Sequence, residues 1–183
     1  MMKRLFLMGN NRKDNKWTRG KVIESYHFIE WKKVEVYCLS CAITSGLMAP
    51  DGRIVFESEH FHVHQDVAYP IKGLMIVVSK RHVKCLDELT ESEKFDYINV
   101  ITKIRQAQRK VLGIKYVYYF YNEDAIHHFH TWMVPRYDWM YEIGRSVESV
   151  RPILLHARHH INTKENILEV IAAIDSLKKE LSR

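Results

Sequence analysis

Between Thr90 and Gly113 the sequence writes one complete helix, with its start and its stop. Thr90 and Glu93 have the spacing of a capping box, in which hydroxyl and carboxylate each satisfy a backbone N–H that the first turn leaves unpaired. Phe95, Ile98, Ile101 and Ile104 recur every third residue, and Gly113 is the residue type that closes a helix with a left-handed turn. Short strand-like runs flank it. "RIVFE", "FHVHQDV" and the β-branched "GLMIVVSK" come before; "YVYYFYN" and "HHFHTWMV" come after. A helix of this length and strands this short must bury their apolar sides against each other. The expectation is one α+β domain, with an antiparallel sheet of about five strands and two main helices. The second helix is "NTKENILEVIAAIDSLKKELSR", with Ile167, Ile171, Ile174 and Leu181 on one side.

The rest of the chain is less regular. Met1 to about Lys33 is rich in Lys, Arg and Asn and reads as an irregular basic arm. "KVEVYCLSC" alternates as a strand would, and "RPILLHARHH" is ambiguous between helix and loop. This gives an arm over 1–33, a central domain over 34–140, and a C-terminal extension over 141–183 that ends in the amphipathic helix. The 183 residues suffice for one real core. The longest apolar runs, such as "LMIVV", are too short to span a bilayer, and the N-terminus lacks a secretory pattern, so a cytoplasmic protein with no membrane partner is expected. The three cysteines include a C-x-x-C at Cys38 and Cys41, which in a reducing compartment points to metal or redox chemistry. A net charge of +6 favours anionic partners, nucleotides and nucleic acid among them.

Two histidine runs stand out. In "HHFHTWMV" strand alternation puts His128, His130 and Trp132 on one face and His127, Phe129 and Thr131 on the other. An imidazole whose second nitrogen is held by an acceptor can attack phosphorus. The other run, "HFHVH" from His60 to His64, is equally dense in imidazole.

"HFHTWMVPRY" resembles the signature of the histidine-triad (HIT) family, in which alternating histidines precede Pro-Arg-Tyr. Anchoring on "PRY" sets the triad as His128, His130 and Trp132. "CLSCAI" looks like the family's C-x-x-C opening. "ESEHFHVHQDVAYPIKGLMIVVSKRHVKCLDELT" is similar to its strand, Asp, Pro-x-x-Gly, strand and Lys-x-His succession. The likeness runs from about Tyr37 to Tyr137. It implies a HIT-like fold, a nucleotide ligand, a homodimer, and chemistry at a nucleotide α-phosphate through a nucleotidyl-histidine.

Carried over residue by residue, the resemblance makes His130 the nucleophile. His128, Trp132 and Asn122 stand at the other catalytic positions. Asp66 would accept from the ribose hydroxyls, Leu39 and Ile43 would sandwich the base, and Arg136 is a cation just past the motif. Cys38, Cys41, His82 and His128 match the structural zinc ligands of many HIT proteins and of galactose-1-phosphate uridylyltransferases. His60, His62 and His64 fall outside the triad and are expected as exposed or packed strand residues.

The sequence also departs from the pattern. Trp132 replaces the third histidine, and indole can donate one hydrogen bond but carries no charge. Ala125 replaces a Ser or Thr, the Gly-rich loop shrinks to "NEDA", and Glu123 and Asp124 bring negative charge near the phosphates. Three readings follow: a zinc-stabilised nucleotide hydrolase or nucleotidyltransferase, acting on dinucleoside polyphosphates, phosphoramidates or nucleotide sugars; a nucleotide-binding protein with little turnover; and, less favoured, a nucleic-acid module using the basic arm, "HARHH" and aromatics such as Trp17 and Trp31.

Overall fold

A computed structural model describes residues 21–26, 31–36, 38–50, 52–124 and 127–183. Part of the segment expected to be an irregular arm is instead a strand: Lys21–Tyr26 (β1) pairs antiparallel with Trp31–Val36 (β2). "KVEVYCLSC" is not one strand. β2 ends at Val36, and Leu39–Thr44 forms a short helix, α1, with Cys38 as its N-cap. The reason lies in the C-x-x-C itself: residues three apart lie on one side of a helical turn, whereas along a strand they point to opposite faces.

The main sheet is antiparallel. Its strands are Ile54–Glu57 (β3), Phe61–His64 (β4), Met75–Ser79 (β5), Tyr116–Phe120 (β6) and His130–Arg136 (β7), in the order β3-β4-β5-β7-β6. One face carries Phe61, Val63, Met75, Val77 and Met133 and forms a single core with Val100, Ile104, Val170, Ile174 and Leu177 of the two long helices, Glu91–Leu112 (α2) and Lys164–Leu181 (α4). Burial of each such side chain stabilises by about 1.5–3 kcal/mol, which makes this face the main store of stability.

The capping box of α2 forms as the sequence predicts. Thr90 Oγ1 accepts from the Glu93 N–H at 3.3 Å, and Glu93 accepts from the Thr90 N–H at 2.8 Å. Gly113 ends the helix at φ 65°. The buried stripe differs from the expected one: Val100, Ile104 and Ala107 face the core, while Phe95 and Ile98 are exposed. A strict three-residue spacing rotates off a 3.6-residue helix face within two turns.

The opposite sheet face follows from the register. His62 lies across from Val78, and Val78 from His130; His64 lies across from Ile76, and Ile76 from Trp132. Directly opposed residues share a face, so both histidine runs converge on this one. Its far end is covered by the C-terminal extension. "RPILLHARHH" resolves as helix: Val150–His160 (α3) packs Ile153 and Ala157 against Leu74, Ile76, Val78 and Val134. The 66–73 loop lies beneath this extension. Asn166 donates to the Pro70 carbonyl at 2.7 Å, Lys72 pairs with Glu169 at 2.9 Å, and the Tyr137 hydroxyl donates to the Lys72 carbonyl at 2.8 Å. The loop ends at Gly73, φ 75°, where a Cβ would stand 2.7 Å from Ile114.

Candidate functional site

Three separate segments bring the Cys and His side chains together. Cys38 and Cys41 come from the first turn of α1, His82 from the loop after β5, and His128 from the approach to β7. The His82 loop is clamped to α2. Arg81 donates to both carboxylate oxygens of Glu93 at 2.8 and 2.7 Å, and to the Glu88 carbonyl at 2.8 Å. The guanidinium holds the Glu93 carboxyl down to about 2. The same Glu therefore caps the long helix and fixes the segment that carries His82.

The four ligand atoms lie within 4.8 Å of one another. Cys38 Sγ and His82 Nδ1 are each 3.2 Å from His128 Nδ1, Cys41 Sγ is 3.5 Å from it, and Cys41 Sγ is 3.2 Å from His82 Nδ1. Zinc bonds of the usual length in a tetrahedron set ligand atoms roughly 3.3–3.8 Å apart. Protonation adds a second test. His128 Nε2 is 2.8 Å from the Ser79 carbonyl, which only accepts, so Nε2 carries the hydrogen and Nδ1 turns its lone pair to the cluster. Burial, and the Cys38 thiol beside it, push the Cys41 thiol up to about 11 in the absence of a cation. The donor set, spacing and tautomer are compatible with zinc.

His130 follows the same logic with the roles of its nitrogens exchanged. Its Nδ1 donates to the His128 carbonyl at 2.8 Å, which leaves the lone pair on Nε2. Burial holds its pKa below the usual histidine range, so the ring is neutral near pH 7. A neutral imidazole with a free Nε2 is the form that can act as a nucleophile.

The upstream histidines are packed. His62 and His64 are buried on this same face with ring centroids 5.4 Å apart. Burial, then the charge of neighbouring histidines, lowers His62 to about 4 and His64 to about 3. The Thr44 hydroxyl donates to the Ser40 carbonyl at 2.9 Å, so His62 Nδ1, 3.3 Å from that oxygen, must be the donor. His62 Nε2 and His64 Nδ1 have no hydrogen-bond partner. Alternation shows that His62 and His64 share a face, but only the strand pairing shows that it is the face of His130.

The remaining predicted residues are dispersed. Asp66 opens the 66–73 loop, where its Oδ1 accepts from the Ala68 N–H at 2.8 Å; burial raises its pKa, and that hydrogen bond and the Arg158 charge oppose the rise. Tyr69 links this loop to Trp132, edge to face at 5.5 Å. Leu39 and Ile43 lie on α1 in a small cluster with Ala42 and Met48. Asn122 follows β6 with its Oδ1 buried and unpartnered. Glu123 accepts from the Tyr121 hydroxyl at 2.6 Å. Arg136 is engaged elsewhere. Its guanidinium donates to Ser149 Oγ at 3.1 Å and the Gly144 carbonyl at 2.7 Å, and stacks on Tyr118 and Tyr141. Ala125 lies outside the described residues.

Known proteins of the same architecture exist. A HIT family protein of Bacillus anthracis superposes with a TM-score of 0.53 at 24% identity, over 74% of this chain and 94% of that one. A member of the HIT family from Bacillus subtilis gives 0.53 at 21% identity, over 75% and 94%. The fold is HIT-like. In sequence, an uncharacterised HIT-like protein of Methanocaldococcus jannaschii is 28% identical over 107 residues, 55% of this chain and 80% of that protein. The protein named hit of Bacillus subtilis is 27% identical over 109 residues, 55% and 71%. No family model matches the chain. The relatives' names and the shared architecture agree on a HIT-like fold. Among the described residues no helix is long and apolar enough to cross a membrane.

Proposed function

We propose that this HIT-like protein is a nucleotide hydrolase or nucleotidyltransferase that attacks a nucleotide α-phosphate with His130. The observation that carries the reading is the tautomer of His130. The His128 carbonyl takes the Nδ1 hydrogen at 2.8 Å and leaves Nε2 with its lone pair. Nε2 bonds to phosphorus, the leaving group departs with the electron pair of the broken bond, and the nucleotide is then released from the ring to water or another acceptor. Asp66 accepts from the ribose hydroxyls, Leu39 and Ile43 flank the base, and Trp132 and Asn122 offer donors to the phosphoryl oxygens. Glu123, held by Tyr121, keeps its carboxylate occupied away from phosphate. In this reading Arg136 acts indirectly, by bracing the end of β7.

Zinc held by Cys38, Cys41, His82 and His128 is structural in this proposal. When bound it ties α1, the β5 loop and the approach to β7 together, and all four of its positions are filled by protein. The division into a basic arm (1–33), a nucleotide-binding domain (34–140) and a C-terminal extension (141–183), a homodimeric state and a cytoplasmic location belong to the same proposal. Membrane attachment does not, and nucleic acid is not the favoured ligand.

Mass spectrometry after incubation with a panel of nucleotides and nucleotide conjugates tests the reading. An acid-labile nucleotidyl adduct should form on the wild type and be absent from His130→Ala. One observation favours a second reading, nucleotide binding with little turnover: Trp132 stands where the resemblance calls for a third imidazole and cannot carry positive charge. Binding with neither adduct nor release would select it.

A further inference from the structure

Outside the proposed catalytic set, α3 carries an arginine with an unusual setting. The Arg158 guanidinium lies 4.1 Å from the centre of the Tyr69 ring, and Tyr69 meets Trp132 edge to face at 5.5 Å. Among the described residues Arg158 has no carboxylate within ion-pair distance, although its charge bears on Asp66 and Tyr69. Arg151 lies seven residues earlier, two helical turns back on the same side of α3, and its charge also bears on Tyr69. Asp66, Tyr69, Trp132 and Arg158 are all half-buried.

Arg158 also hydrogen-bonds Tyr69, the ring it stacks on, which orients its fork in advance, and the remaining N–H groups of the five a guanidinium carries suit bidentate phosphate recognition. Its location answers a deficit. Trp132 leaves the triad without its third potential cation, and Arg158 stands one aromatic ring beyond Trp132.

We infer that Arg158, with Arg151 behind it, binds the phosphate that leaves when His130 attacks, so that the C-terminal extension selects substrates in which the α-phosphate is linked to further phosphate. This rests on the nucleotidyl-transfer reading above. In the first step the bond from His130 Nε2 to the α-phosphorus forms and the P–O bond to the departing phosphate breaks. That electron pair stays on the departing oxygen as negative charge, which Arg158 meets with two N–H donors. Water then bonds to phosphorus, the N–P electron pair returns to the ring, and the proton of the water passes to solvent. A phosphoramidate or nucleotide sugar places an amine or a hexose phosphate on the leaving side, and an amine gives Arg158 nothing to hold.

The test compares diadenosine tetraphosphate with adenosine 5′-phosphoramidate, and the guanosine pair likewise, on wild type, Arg158→Gln and Arg158→Lys. Arg158→Gln should lower kcat/KM on the polyphosphate roughly 10- to 100-fold, the size of a charge-assisted hydrogen bond. It should leave the phosphoramidate within a few-fold, and Arg158→Lys should recover part of the loss. If Arg158→Gln does not fold, Arg151→Gln, on an exposed turn, carries the same comparison. Equal losses on both substrates, or none on either, overturn the inference while an adduct on His130 keeps the reading beneath it. A wild type with no adduct from any of these substrates removes both.

Discussion

On the approach to β7, and on β7 itself, each key imidazole has one nitrogen given to a backbone carbonyl, His128 to Ser79 and His130 to His128. On β4, two strands away on the same face, His62 leans on a threonine hydroxyl, and each ring keeps a nitrogen with no partner. The two runs match in residue type, burial and face, and differ in what holds the second nitrogen. A carbonyl fixes a tautomer without ambiguity, because it can only accept. That anchoring turns a lone pair of His128 to the Cys and His cluster and leaves one on Nε2 of His130. The β4 pair is packed, neutral and unassigned. Density of histidine in a sequence therefore says little about function; the acceptor behind each ring says more.

The sharpest way to break this contrast is His130→Ala. It should remove the covalent adduct and slow nucleotide release by at least ~10³-fold, because a nucleophile is lost as a unit. Metal content and nucleotide affinity should persist. Release at the wild-type rate would refute the special standing of His130. His127→Ala, a histidine next to His128 that lies outside β7 and outside the Cys and His cluster, is the matched control.

Cys41→Ser tests the cluster anchored by His128. Elemental analysis should find about one zinc per chain in the wild type, the expected stoichiometry of a closed four-ligand site. The variant should lose that metal together with several kcal/mol of unfolding free energy, since binding and folding are coupled. A folded, metal-free wild type would defeat it.

Acid should expose the β4 pair. A free imidazole titrates near 6.5, whereas burial lowers His62 to about 4 and His64 to about 3. Below pH 6.5 the unfolded chain takes up protons that the folded chain refuses. Their contribution is thus fully present above pH 6.5 and is lost as pH falls toward 4, on the order of 3 kcal/mol for His62 alone. Urea unfolding at pH 7.5 and 4.5 should show a steeper loss in the wild type than in a His62→Gln/His64→Gln variant. Equal pH dependence would mean that the pair is not buried neutral.

Asp66→Ala should weaken nucleotide binding by about 1.5–3 kcal/mol, roughly 10- to 100-fold, with kcat little changed, because a ribose hydrogen bond acts on ground and transition states alike. Isothermal titration beside steady-state kinetics separates the two. The smallest effect belongs to the β4 pair again. At pH 7.5 the His62→Gln/His64→Gln variant should bind nucleotide within a few-fold of wild type, and a loss above ~30-fold would put those rings in the nucleotide site.

Much of the architecture was legible in the sequence, since its signals are local. The capping box of α2, Gly113, the strand runs and the amphipathic C-terminal helix each depend on residues a few positions apart. The four candidate metal ligands were legible through a family likeness carried by short motifs. What the local pattern misjudged was set by neighbours at a distance. The three-residue apolar stripe on α2 put Phe95 and Ile98 in the core, yet the helix turns Val100, Ile104 and Ala107 into the core that the sheet and α4 share. "KVEVYCLSC" alternates like a strand, but both thiols face His82 and His128 only from a helical turn.

By itself the sequence determined periodicity, caps and the donor atoms present, because each of these is written within one or two turns of chain. Only the tertiary structure decided which donors meet. The strand order β4-β5-β7 carries His62 and His64 to the face of His130, and α3 brings Arg158 over Tyr69 from a segment with no local signature. Side-chain direction follows from chain position, but the partner across the space is chosen by sheet register and helix packing, which depend on every element at once.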